Sequence, residues 1–260
     1  MNSTNILNIK NLSKTYHSIS GETNAVNNIN FTVDKEDFIG IIGPSGCGKS
    51  TILNIISKLD TDYKGKIVLK DNVKVAYMLQ EDALFSWLTI LDNVLLGLKI
   101  KKELNNDNKK YVICLLKKYG LYDFKDKYPT SLSGGMKQRV ALIRTLAIKP
   151  DILLLDEPFS ALDYQTRLKV SDDVFKIIKE EKKTVLMVTH DISEAISMCN
   201  KIIVLSKRPS TIKSIYNIEL ENSSTPIKNR ESPNFQYYFK QIWKDIDNNV
   251  NWTANFYKKI

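Results

Sequence analysis

Gly43-Pro44-Ser45-Gly46-Cys47-Gly48-Lys49-Ser50-Thr51 is a glycine-spaced run closed by a lysine and two hydroxyls. That set of residues suits one task, the binding of a polyphosphate. Glycines 43, 46 and 48 let the backbone wrap so that successive N–H groups face phosphate oxygens. Lys49 supplies a point charge for the β- and γ-phosphates, and the Ser50 hydroxyl is spaced to ligate Mg²⁺. Cys47 lies just ahead of a helix N-terminus, which predicts a lowered thiol pKa. A second group ends an aliphatic run, Ile152-Leu153-Leu154-Leu155-Asp156-Glu157. Asp156 would reach the metal directly or through water, and Glu157 would orient an attacking water as general base. The run Thr184–Thr189 ends at His190, placed to hydrogen-bond a γ-phosphate. Gln80 closes Tyr77-Met78-Leu79-Gln80 and offers an amide oxygen to the metal or the water. The other histidine, His17, has no such setting and reads as solvated.

These groups need a scaffold that brings strand ends together. Residues 6–16 and 24–33 have strand-like spacing and are split by the turn-prone Ser18–Glu22. Phe38–Ile42 is a short apolar strand running into the glycine loop, and Lys49–Lys58 follows as a helix with an apolar face. Val73–Leu79 is another strand. From about 88 to 149 the spacing turns helical, at Thr89–Ile100, Asn108–Tyr119 and Gly134–Ile148. Buried strands return at Ile152–Leu155 and Val185–Thr189, separated by a helix from Tyr164 to Glu181. A helix at Ile192–Met198 and strands at Ile202–Leu205 and Ile212–Leu220 complete the pattern. Strands alternating with helices imply a parallel α/β core, with 88–149 inserted as a helical subdomain. The expected division is therefore an α/β unit at 1–220 and a short appendage at 221–260 holding one aromatic-rich helix near Phe235–Ile246.

Composition narrows the class without choosing a function. In 260 residues, 43% are hydrophobic and 26% charged, which suits a globular protein and excludes disorder as the default. The longest aliphatic run falls far short of the roughly 18 residues a spanning helix needs. The polar start Met1-Asn2-Ser3-Thr4-Asn5 lacks a secretory pattern, so a cytoplasmic location is expected. Cys47, Cys114 and Cys199 are scattered, which argues against a disulfide framework or a zinc site. The net charge of +9 admits nucleic acid, an anionic membrane surface, or merely solvated lysines.

The decisive run is Leu132-Ser133-Gly134-Gly135-Met136-Lys137-Gln138-Arg139. With it the chain resembles ATP-binding cassette (ABC) subunits over nearly its whole length. Tyr16, the phosphate loop, Gln80, this signature, Asp156-Glu157, Ser160-Ala161-Leu162-Asp163 and His190 occur in the family's order. The resemblance implies a P-loop NTPase (RecA-like) α/β core with an N-terminal antiparallel β subdomain and the helical insert. It implies ATP as substrate with Mg²⁺, and a head-to-tail homodimer when ATP is bound. Tyr16 would stack on adenine, and residues 43–51 would hold the phosphates. Ser133, Gly134, Gly135 and Gln138 would meet the ATP of the partner subunit, and Asp163 would cross the dimer seam. Ser133 also precedes a helix and is suited to cap it.

The stretch from Gln80 to Val94 is similar to nitrate/sulfonate/taurine-type importer ATPases and to their thiamine-precursor branch. It departs at Ser86, where that family usually has proline. The resemblance implies an integral-membrane permease as partner, a solute-binding protein acting indirectly, and a peripheral position on the cytoplasmic face of the membrane. Leu84, Phe85, Trp87 and Leu88 are the expected permease contact. Nucleic acid is not an expected partner. The alternative is a non-transport ABC ATPase acting on nucleic acid or ribosomes, but such proteins usually carry a second cassette or long insertions. Nine lysines against four acids between 99 and 127 place part of the charge in the helical insert, where anionic lipid is a suitable counterpart.

Overall fold

The computed structural model of the chain describes residues 5–19 and 21–247. Alternating apolar residues make Asn5–Ser18 (β1) and Gly21–Asp34 (β2) a long antiparallel pair. Phe38–Ile42 (β3) leads into the glycine loop and then Lys49–Ile56 (α1). Lys64–Leu69 (β4) pairs with the free side of β1, completing a three-stranded sheet ordered β2-β1-β4. This strand is not evident in the sequence because its lysines leave little apolar pattern. Val75–Met78 (β5) starts the edge of the second sheet.

Three helices stand between β5 and the next strand: Ile90–Ile100 (α2), Asn106–Lys118 (α3) and Gly134–Ala147 (α4). Their starts are set by capping side chains. Thr89 accepts from the Asp92 N–H at 3.1 Å and Asn105 from the Asn108 N–H at 2.8 Å. The chain then returns through Ile152–Asp156 (β6), Tyr164–Glu180 (α5), Thr184–Val188 (β7), Ile192–Met198 (α6), Lys201–Leu205 (β8) and Ile212–Asn217 (β9).

The second sheet is ordered β5-β6-β7-β3-β8-β9. It is parallel from β5 to β8, whereas β9 returns antiparallel. β9 also ends earlier than the expected Leu220, because the Ile218 N–H turns to the Asn200 carbonyl at 2.9 Å. The four central strands are buried along their lengths, so each supplies two cores. Phe38, Leu153, Leu155, Val185 and Met187 share one core with the helical insert, α5 and α6. Ile39, Ile41, Leu154, Leu186 and Val188 face α1 and the antiparallel sheet. Such continuous apolar strands are what a sheet covered on both faces requires.

Beyond β9 come Pro226–Asn229 (α7) and Phe235–Ile246 (α8), and α8 packs back on the core shared with the helical insert through Phe235 and Ile242. Asp245 ties α8 to β9, accepting from Ser214 and, at 2.7 Å, from the Tyr216 hydroxyl. The expected appendage is thus described as far as residue 247. Its remainder, and the first four residues, lie outside the described residues. Several lysines of the insert have acidic partners: Lys99 with Asp92 at 2.7 Å, Lys118 with Glu180 at 2.9 Å, and Lys125 with Asp126.

Candidate nucleotide site

The phosphate loop spans the gap between the carboxyl end of β3 and the N-terminus of α1. Gly46 (φ +72°) and Gly48 (φ +104°) occupy the left-handed region, where a side chain is strained. Gly43 does not; its reason is room, since a Cβ there would come within 3.0 Å of the Leu205 carbonyl oxygen. Lys49 is buried against the loop, its Nζ donating to the Gly43 and Pro44 carbonyls at 3.0 and 3.1 Å. The expected low thiol pKa of Cys47 is corrected. Cys47 is 1% exposed, and burial pushes its pKa up despite the Lys49 and Arg208 charges nearby. The helix end cannot offset that loss of solvent.

Two clusters form where the parallel strands end. In the first, Ser50 Oγ donates to Asp156 Oδ1 at 3.1 Å, and the Tyr77 hydroxyl donates to Asp156 Oδ2 at 2.8 Å. Ser50 and Asp156 are hard oxygen donors of the type Mg²⁺ takes, and two such groups leave positions for phosphate oxygens. The residues present therefore fit the metal. Bound there with nucleotide, Mg²⁺ neutralises charge on the phosphates. Tyr77 was not evident as a site residue. Burial and the Asp156 charge push its phenol pKa well up, so it stays a donor.

In the second cluster, Glu157 Oε2 lies 3.1 Å from His190 Nδ1 and 3.4 Å from Gln80 Nε2. Gln80 also reaches Ser160 Oγ at 3.5 Å, so its hydrogen bonds go to the Glu157 side and not to the Ser50–Asp156 pair. Glu157 holds a left-handed backbone (φ +43°), with its N–H on the Val188 carbonyl at 2.9 Å. A carboxylate, an imidazole and an amide on one patch can orient a water and hold its proton. The loop after Gln80 is fixed from α4, where Arg144 donates to the Asp82 and Ala83 carbonyls at 2.6 and 2.7 Å. This anchor has no motif of its own in the sequence.

Of the remaining expected site residues, Tyr16 borders the phosphate loop, and the others lie outside these two clusters. Tyr16 ends β1 beside α1, 41% exposed, with its hydroxyl 3.3 Å from Thr51 Oγ1. Ser133 caps α4, accepting from the Met136 N–H at 3.4 Å. Gly135 has a packing reason as well, since a Cβ would meet Val170 Cγ2 at 2.6 Å. Gln138 is buried with its Oε1 unpaired. Asp163 caps α5, and its bond from Thr166 lowers its carboxyl pKa. Phe85 and Trp87 pair at 4.9 Å between ring centroids on the surface, with Trp87 70% exposed. His17 is exposed beside Glu22 at 3.1 Å.

A strand, phosphate loop and helix, with an acidic strand end beside them, define a P-loop nucleoside triphosphatase. Within that class the family model for ABC transporters matches residues 26–160. The chain is 47% identical to the uncharacterized ABC transporter ATP-binding protein YtlC of Bacillus subtilis, over 93% of this chain and 95% of that one. It is 38% identical to the aliphatic sulfonates import ATP-binding protein SsuB of Bacillus cereus, over 92% and 95%. Among solved structures, the dimeric cassette MJ0796 matches with a TM-score of 0.69 and 34% identity, over 82% of this chain and 99% of that one. The same cassette has been solved in a post-hydrolysis state with ADP and Pi, with equal similarity. The chain belongs to the ABC transporter family, as an ATP-binding and ATP-hydrolysing subunit. Among the described residues no helix is long and apolar enough to cross a membrane.

Proposed function

We propose that this chain powers uptake of a small solute through a separate membrane permease, in the manner of nitrate, sulfonate, taurine or thiamine-precursor importers. The observation that carries its catalytic part is the assembly of Ser50, Asp156 and Tyr77 beside Glu157, His190 and Gln80 at adjoining strand ends. Glu157 acts as general base, with His190 and Gln80 placing it and the γ-phosphate. Lys49 and the loop N–H groups hold the phosphates, and Ser50 and Asp156 hold Mg²⁺. Gln80 serves the water and metal when nucleotide is present.

Two copies would close on ATP, with Ser133, Gly134, Gly135 and Gln138 of one meeting the phosphates on the other, and Asp163 crossing between them. Tyr16 would stack on adenine. Residues 1–220 act as the ATPase unit, with 88–149 as its helical insert and 221–260 as an appendage. The permease would dock on Leu84, Phe85, Trp87 and Leu88, holding the subunit at the cytoplasmic face of the membrane. A solute-binding protein would act through that permease. The import reading draws support from the sulfonate importer's name and from the exposed Phe85–Trp87 pair.

Glu157→Gln tests the mechanism. It retains ATP binding and loses nearly all turnover, because an amide cannot take the proton, and with ATP it elutes as a dimer. Hydrolysis at the native rate would overturn the base assignment. Reconstitution with a candidate permease tests import: solute uptake and ATP turnover rise together. Turnover stimulated by RNA, DNA or ribosomes, and indifferent to the permease, would favour the non-transport reading.

A further inference from the structure

Arg208, in the loop between β8 and β9, reaches the phosphate loop from outside the motif. Its Nε donates to the Gly46 carbonyl oxygen at 2.9 Å, and its Nη2 bonds the same oxygen. The contact joins positions 162 residues apart. The loop that carries Arg208 is itself anchored. Ser210 is fully buried, its N–H donates to the Ala25 carbonyl at 3.1 Å, and its carbonyl accepts from the Asn27 N–H at 2.8 Å. Val26, between those two residues of β2, covers Gly48 so closely that a Cβ there would sit 2.8 Å from Val26 Cγ1. The crest and the base of the phosphate loop are thus held by one assembly, the β8–β9 loop together with β2.

Holding the Gly46 oxygen has a direct effect on the groups that meet phosphate. In a trans peptide the carbonyl and the following N–H point opposite ways. An oxygen drawn toward Arg208 aims the Cys47 N–H back into the loop, where it meets the Pro44 carbonyl at 3.2 Å. Lys49 similarly holds the Gly43 and Pro44 oxygens. The Gly43, Pro44 and Gly46 carbonyl oxygens are thereby held by positive charge, which lessens their repulsion of an anion in the loop. The guanidinium also adds a second positive charge to the site.

We propose that Arg208 is a positioning residue for the nucleotide, presetting the phosphate loop through Gly46 and adding a cation beside Lys49. This rests on the phosphate loop being the ATP site. The test titrates the full chain, Arg208→Ala, Arg208→Lys and Lys49→Ala with a fluorescent ATP analogue, alongside steady-state hydrolysis. Arg208→Ala raises the dissociation constant and KM roughly five- to thirtyfold, the factor that a loss of about 1–2 kcal/mol produces, with kcat at saturation nearly unchanged. Arg208→Lys, which keeps the charge and one donor, falls between. Without nucleotide, the buried Cys47 thiol of Arg208→Ala is alkylated faster than the native one by peptide mass mapping, while the melting temperature stays the same.

Native affinity in Arg208→Ala, with binding lost in Lys49→Ala, overturns the role of Arg208. Native affinity in Lys49→Ala overturns the phosphate-loop reading beneath it. A lower melting temperature with unchanged ATP affinity and unchanged Cys47 labelling makes Arg208 a structural brace only, and also overturns the proposal.

Discussion

Asp156 has both carboxylate oxygens engaged before any ligand arrives, by the hydroxyls of Ser50 and Tyr77. If Asp156 holds Mg²⁺ as proposed, the Tyr77 bond to its other oxygen would hold the carboxylate in place. Tyr77→Phe keeps the ring and removes the donor. It is expected to raise the Mg²⁺ concentration needed for half-maximal hydrolysis by roughly three- to tenfold, the cost of a single hydrogen bond, with little change in ATP binding without metal. Titrating Mg²⁺ at fixed ATP measures it. Glu157 sits beside this pair with a left-handed backbone, conformational strain of the kind that collects at sites where one orientation matters more than local comfort. Its backbone N–H is held on the Val188 carbonyl at the strand end, which fixes a non-glycine residue in this geometry.

At the level of elements, α4 and α5 approach through Gly135, and Gly135→Ala should act through packing before it acts on ATP. The added methyl meets Val170 Cγ2 at 2.6 Å, and overpacking of this kind costs about 1–3 kcal/mol. Urea unfolding of the isolated chain measures it. Trp87→Ala belongs to the opposite case. Its side chain is mostly exposed, so the isolated subunit should melt within about 1–2 °C of the native chain, as surface substitutions do, while co-purification with the permease weakens. A large fall in melting temperature with assembly intact would place the docking site elsewhere. The helices of the insert were legible from their apolar spacing, with Ser133 marking the start of α4. By contrast, α3 starts at Asn106 and not the expected Asn108, because the Asn105 cap that sets it is a contact apolar spacing does not show. The phosphate loop and the strand-end acids were legible because the chemistry forces residue types at fixed intervals. Tyr77, Arg144 and Arg208 were hidden for a shared reason: each acts through a contact made across the fold, and no local spacing encodes that. β4 lies at a sheet edge, where exposure erases the pattern that marks a buried strand, whereas β9 keeps its alternation and was read as a strand, its reversed direction being set by pairing across the fold.

Across the whole molecule, one buried carboxyl links stability to pH. Glu194 on α6 is buried beside Asp191, accepts from Thr189 Oγ1 at 3.1 Å, and lies near Arg167 and Arg230. Burial first, then the Asp191 charge, lifts its pKa to about 8, against the opposing Thr189 bond and the two arginines. The folded state therefore holds a proton that the unfolded chain gives up near its ordinary pKa. This contribution is complete below the unfolded pKa and is lost as pH rises toward 8. The expected melting temperature falls by at most roughly 3–5 °C per pH unit across that window. Glu194→Gln, which cannot ionise, should flatten the fall, and calorimetry from pH 5 to pH 8 would show it. A variant with the native slope would assign the dependence to other groups.

Gln80 and Ser133 are served by the two ends of a single rod. Ser133 caps the start of α4, and Arg144, in its last turn, grips the Asp82–Ala83 backbone just past Gln80. Fourteen residues of helix make that rod about 20 Å long. Ser133 lies eleven residues, about 16 Å, from Arg144, so a pivot of ~10° at the arginine sweeps the capped end by ~3 Å, about the length of a hydrogen bond. A small rotation at the glutamine loop is thereby geared into a whole step at the serine, with the ratio fixed by the number of residues between them.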